Sequence, residues 1–212
     1  MASGCRVVAG VDEVGRGAIA GPVCVGVVAV TAASPAAPAG LADSKQLAAA
    51  VRTRLAPALR AWAHAWALGW ASPAEIDQHG LTRALRLAGR RALADLAAAP
   101  DGIVLDGKHD WLSSPPDLLA PAREAWRVRV VVKADQTCAS VAAASVLAKV
   151  ARDQRMAALA ALHPGYGWEG NKGYGTARHL AAVRALGPTG QHRQTWAIPG
   201  CPPVPERERV EA

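Results

Sequence analysis

Two adjacent carboxylates, Asp12 and Glu13, stand at the end of the run Arg6-Val7-Val8-Ala9-Gly10-Val11, inside what reads as a buried first strand. Ionised groups left uncompensated in a core are costly, so such a strand needs a cationic partner, most simply a metal ion. A second β-branched run occupies residues 22–31, set off by Gly21-Pro22. The two runs predict a hairpin. Between them, Gly15-Arg16-Gly17 supplies exposed backbone amides and one guanidinium, a combination suited to phosphate.

Downstream, residues 31–40 read as a loop, and Asp43-Ser44-Lys45 leads into an amphipathic helix over about 46–61 with Ser44 as its N-cap. Pro57 predicts a kink or break within it. Residues 64–70 alternate weakly and fit a third strand. Ser72-Pro73-Ala74-Glu75 is a capping box with proline at the first helical position, opening a helix that Gly80 interrupts. A helix over 81–99 follows, with Leu81, Leu85, Leu93 and Leu96 on one face and an arginine-bearing face that reads as solvated. Ile103-Val104-Leu105-Asp106-Gly107 is a short strand ending in a carboxylate, and residues 128–132 form the last strand before Lys133-Ala134-Asp135. A long helix over about 137–162 begins with small residues, which lets it lie close to a sheet. A glycine-rich segment, 165–175, and a short helix near 176–186 complete the ordered part. The tail from residue 199 is proline-rich and charged, and reads as disordered. This order predicts an α/β fold. No internal repeat and no second domain-sized core is seen.

The 212 residues carry 24 basic and 17 acidic side chains, a formal charge of +7 that suits a polyanionic partner. The four cysteines show no C-x-x-C pair and no histidine at ligand spacing, which argues against a zinc site or a disulfide framework and for a reduced, cytoplasmic setting. No signal sequence precedes the first strand. The apolar run 18–30 contains Gly21, Pro22 and Gly26 and is too short for a bilayer, so no membrane association is expected.

Asp106 and Asp135 join Asp12 and Glu13 as acids that end or follow apolar runs. If the first and fourth strands are neighbours, these groups converge where α/β sheets gather ligands. Oxygen-only ligands favour Mg²⁺ or Mn²⁺. Taken singly, Asp135 reads as a helix N-cap and Asp106 as a strand-ending turn residue; no such role explains the Asp12-Glu13 pair. Residues 15–20 also match the dinucleotide fingerprint, but no helix follows and no ribose-binding acid stands at the expected offset, which rejects an oxidoreductase.

Several ordered blocks together are similar to ribonuclease HII: residues 10–17, Asp43-Ser44-Lys45, Leu105-Asp106-Gly107, Lys133-Ala134-Asp135, residues 140–150, Asn171-Lys172-Gly173-Tyr174-Gly175-Thr176, and His192-Arg193 with Thr195-Trp196. The resemblance spans about 6–197. It implies an RNase H-like five-stranded mixed sheet flanked by helices, with a small C-terminal helical extension: a catalytic domain over 1–160, the extension over 161–197 packed on it, and a tail over 198–212. It implies cleavage of the RNA strand of RNA–DNA hybrids and nicking of duplex DNA at an embedded ribonucleotide, leaving 3′-hydroxyl and 5′-phosphate ends. By position, Asp12, Glu13, Asp106 and Asp135 would hold the metal. Gly15, Arg16 and Gly17 would meet the 2′-hydroxyl and neighbouring phosphate, and Tyr174 the sugar at the RNA-to-DNA junction. Ser44, Lys45 and Lys172 would add substrate contacts.

On that reading two metal ions serve in-line hydrolysis, with Asp12 bridging them. A non-catalytic relative is expected to have lost a carboxylate, and none is missing. An integrase- or resolvase-like member of the same fold is disfavoured by the Gly-Arg-Gly and Lys-Gly-Tyr-Gly blocks. A sliding clamp is a further candidate partner, although the tail carries no aromatic docking motif. A monomer is the default expectation.

Overall fold

The computed structural model describes residues 4–41, 44, 47–114 and 126–199. Strands β1 (Val7–Val14) and β2 (Val23–Thr31) form the expected hairpin, with Val7 opposite Thr31 and Val14 opposite Cys24. β3 (Ala65–Ala71) pairs antiparallel with β2, while β4 (Gly102–Asp106) and β5 (Arg127–Val131) continue from β1 in parallel. The order β3-β2-β1-β4-β5 is the five-stranded mixed sheet that the sequence predicts, with β1 at its centre.

Period-two alternation sends the two faces of β1 into different cores. Ala9 and Val11 join Ile103 and Leu105 against α3 (Leu81–Ala94). On the other face lie α1 (Ala49–Trp62) and α5 (Ala139–Leu162), with Leu59, Ala143 and Leu147 in one cluster. The run of small residues opening α5 is what lets it approach. A Cβ on Gly10 would stand 2.3 Å from the Val141 nitrogen, and one on Gly26 would stand 2.3 Å from the Ala144 carbonyl oxygen. The capping box is present: the Ser72 hydroxyl accepts from the Glu75 N–H and the Glu75 carboxylate accepts from the Ser72 N–H. It opens α2 (Pro73–His79), which Gly80 separates from α3.

Several boundaries differ from the expectations. α1 begins at Ala49, and its N-cap, Ala48, makes no side-chain bond. Ser44 is instead buried, its hydroxyl 2.7 Å from that of Ser145. Pro57 does not break α1, in which it and Thr53, the residue whose carbonyl loses its helical partner, are both exposed. α3 ends at Ala94, although Leu96 is still buried beyond it. The single helix expected from 137 is two, α4 (Ala134–Thr137) and α5, divided at Cys138, whose backbone is extended. The glycine-rich segment contains a turn of helix, α6 (Trp168–Asn171), before α7 (Ala177–Leu186). Asp43, Lys45 and residues 200–212 lie outside the described residues. No helix among the described residues is long and apolar enough to cross a membrane.

Candidate active site

Parallel pairing of β1 with β4 runs to Val11 opposite Leu105, so the next residues, Asp12 and Asp106, stand side by side at the carboxyl ends of the two strands. Both lie on the α5 face, since their neighbours Val11 and Leu105 point to α3. The Asp106 Oδ1 accepts the Ala134 N–H at 2.7 Å, which ties α4, and with it the buried Asp135, to the end of β4. Asp135 is not a helix N-cap: α4 is preceded by Lys133 in a left-handed conformation, and Asp135 sits in its first turn. Three elements thus bring three of the four predicted acids to one rim.

Glu13 is the fourth. Its Oε1 accepts from Arg16 Nη1 at 3.2 Å, while Oε2 is buried with no hydrogen-bond partner. Burial raises its pKa above the ordinary carboxylate value, the Arg16 pair opposes this, and the nearby Asp106 charge adds to it. The Asp12 Oδ1 accepts the Glu13 N–H at 2.8 Å. Among the described residues no group of three or more His, Cys, Asp or Glu side chains stands close enough to form a ready-made metal site. An orphaned buried oxygen, a second acid that repels it and an all-oxygen donor set nevertheless suit a hard divalent cation.

The loop after β1 is held from behind by two arginines. The buried Arg152 of α5 donates to the carbonyls of Pro22, Lys172 and Ala20 at 2.8, 2.9 and 3.2 Å. The buried Arg193 donates to the carbonyls of Arg16, Gly15 and Gly21. Gly15 has φ +89° and lies so close that a Cβ would stand 2.1 Å from Arg152 Nε. The Ile19 and Ala20 N–H groups both donate to the Gly173 carbonyl, at 2.9 and 3.1 Å. Arg16, Lys172 and Tyr174 are therefore carried on segments stitched together beside Glu13. Tyr174 is partly exposed and its ring lies 5.5 Å from the Arg152 guanidinium. Lys172, also left-handed, sends its Nζ to the Glu169 carbonyl.

Beneath Tyr174 lies a buried histidine pair that sequence reasoning missed. The Thr189 N–H donates to His192 Nδ1, which places the His192 proton on Nε2, 3.2 Å from His179 Nε2. Trp168 Nε1–H donates to the same His179 nitrogen at 2.9 Å, leaving the Nδ1–H of His179 for the Tyr174 carbonyl. Every site in this network is filled with both rings neutral. Burial accordingly lowers both pKa values, His192 to about 4. Between the ordinary histidine value and that lowered one, the unfolded chain binds protons that the folded chain refuses. Stability is thus full above about pH 6.5 and falls as pH drops toward 4, by ~2 kcal/mol at pH 4.5 from His192 alone. Urea unfolding at pH 7.5 and 4.5 should show a smaller acid loss in His192→Asn than in the native chain; an equal loss would refute this account.

A family model described as Ribonuclease HII matches residues 9–198. Ribonuclease HII of Streptomyces coelicolor is 51% identical over 195 residues, covering 92% of this chain and 78% of the relative. The structure of a PCNA:RNase HII complex from Archaeoglobus fulgidus is similar with a TM-score of 0.67 at 25% identity, covering 89% of this chain and 93% of that one. Bst-RNase HIII in complex with Mn²⁺ is similar with a TM-score of 0.62 at 27% identity, over 92% of this chain and 68% of that one.

Proposed function

Because the chain belongs to the ribonuclease HII family, hydrolases acting on RNA, we propose that it cuts the RNA strand of RNA–DNA hybrids and nicks duplex DNA on the 5′ side of an embedded ribonucleotide, leaving 5′-phosphate and 3′-hydroxyl ends. The observation that carries this reading is the placement of Asp12 and Asp106 at the ends of paired central strands, with Asp135 and Glu13 on the same rim. Asp12, Glu13, Asp106 and Asp135 are the residues that would hold divalent cations, Mg²⁺ or Mn²⁺. A pair of such cations activates water and stabilises a leaving oxygen in phosphoryl transfer.

The chain's own groups supply the rest. The Arg16 and Gly17 N–H groups make no hydrogen bond among the described residues and are available to a phosphate or a 2′-hydroxyl. Tyr174 offers a ring face to the sugar that follows, where an added 2′-oxygen would crowd it. Arg16 and Lys172 lie within reach of neighbouring phosphates, and Lys45 is proposed to join them. Ser44, with its hydroxyl on Ser145, would act through its backbone or by supporting Lys45. We place the protein in the cytoplasm as a monomer, with 161–197 as the extension that presents Tyr174 to the catalytic domain. A sliding clamp is a candidate partner by analogy with the archaeal complex.

The deciding experiment compares a DNA duplex carrying one ribonucleotide with an all-DNA duplex of the same sequence, in Mg²⁺ and in Mn²⁺. A single nick 5′ of the ribonucleotide, and none in the all-DNA duplex, is expected; uncut ribonucleotide substrate in both metals would defeat the proposal. Binding of either duplex should weaken steeply with salt, by at least about tenfold between 50 and 200 mM if three or more phosphates are contacted. A flat response would remove the basic residues from the interface.

A further inference from the structure

We infer that Arg152 and Arg193 are positioning residues that hold the Gly15-Arg16-Gly17 loop and Tyr174 as one unit, and that they thereby set the preference for ribonucleotide over deoxyribonucleotide. This rests on the reading above that residues 15–17 meet the substrate. Each guanidinium binds three carbonyls, and among the described residues neither is hydrogen-bonded to a carboxylate. A trans peptide points its carbonyl and the following N–H in opposite directions. With the Gly15 and Arg16 carbonyls drawn inward to Arg193, the Arg16 and Gly17 N–H groups are turned outward, which explains why they have no acceptor among the described residues. The inward carbonyls and outward amides are two sides of one constraint.

Arg152 extends that constraint to the sugar-facing residue. It holds the carbonyls of Ala20 and Lys172 and lies against the Tyr174 ring, so the 15–22 loop and the 172–174 turn share one rigid support. Neutral side chains would suffice merely to close these loops. Two buried cations, both discouraged by burial and Arg193 further by the charge of Arg152, also place positive potential directly beneath outward N–H groups. Lysine cannot substitute, because a single ammonium does not reproduce the planar fork that reaches three separated carbonyls.

The test uses full-length protein carrying Asp12→Asn, in Mg²⁺, so that bound duplex is not cut. Affinity is measured for a duplex with one ribonucleotide and for its all-DNA counterpart. The parent should prefer the ribonucleotide duplex. Adding Arg193→Lys or Arg152→Lys should reduce that preference by about tenfold or more, with all-DNA binding held within about twofold. A role confined to stability would lower both affinities together through the folded fraction. Gly15→Ala provides an independent route, since it keeps both arginines but drives a Cβ into Arg152 Nε; it should cause the same loss. Folded variants that retain the parent's preference would overturn the inference alone. A parent without any preference would overturn the proposed 2′-hydroxyl contact, and this inference with it.

Discussion

Replacing Asp12 with asparagine is expected to reduce cleavage of a ribonucleotide-bearing duplex by about three orders of magnitude or more, some 4 kcal/mol of transition-state stabilisation, while duplex binding survives. Asparagine fits the same space and keeps an Oδ1 acceptor for the Glu13 N–H, which Asp12 now receives at 2.8 Å, so the end of β1 retains its geometry. What disappears is the negative charge beside Asp106 at the ends of β1 and β4. Binding depends on other groups, chiefly the outward N–H groups of the Gly-Arg-Gly loop and the basic residues around it. Cleavage kinetics and fluorescence anisotropy on one preparation separate the two effects. Near-normal turnover would remove Asp12 from the chemistry, and with it the proposed carboxylate site.

That site was legible in the sequence because its acids break a strong local pattern. Asp12-Glu13 and Asp106 end apolar, β-branched runs, and the sheet placed those runs side by side as expected. The hairpin and the capping box were equally local. What stayed hidden depends on partners distant in the chain and on backbone groups. Arg152 binds the carbonyls of Ala20 and Pro22, some 130 positions away, and no residue type advertises a carbonyl. A signal existed: Arg152 lies four residues from both Ala148 and Met156, on the buried side of α5. Arg193 was visible only as part of a familiar block. The His179–His192 pair could not be read, since the two rings stand 13 positions apart and their nearer partners include the Thr189 N–H and the Tyr174 carbonyl, backbone groups that no residue type advertises. The commoner reading of Asp135 as an N-cap failed because the helix starts two residues earlier than that reading needs, with the left-handed Lys133 as its N-cap.

The close approach of α5 to the sheet makes Gly26→Val a strongly disruptive change to the fold. The added Cβ would lie 2.3 Å from the Ala144 carbonyl oxygen and 2.9 Å from its carbon, both backbone atoms that cannot rotate aside. Either α5 lifts or β2 bends, and both open the packing of Ala143, Val146 and Leu147 over the sheet. A loss of about 3 kcal/mol or more is expected, equivalent to a fall of roughly 10 °C in Tm for a chain of this size. Gly170→Ala is the matched control: its Cβ meets nothing within 4 Å and its φ is ordinary, so Tm should shift by no more than about 2 °C. The same displacement must reach the chemistry. α5 begins beside Gly10, where an added Cβ would meet Val141 N and the Ser140 carbon, and Asp12 is the next residue on that face of β1. A Gly26→Val protein assayed well below its melting point should therefore cleave more slowly than the control. Equal stability and equal rates in the two variants would show that α5 does not need its close seat on the sheet.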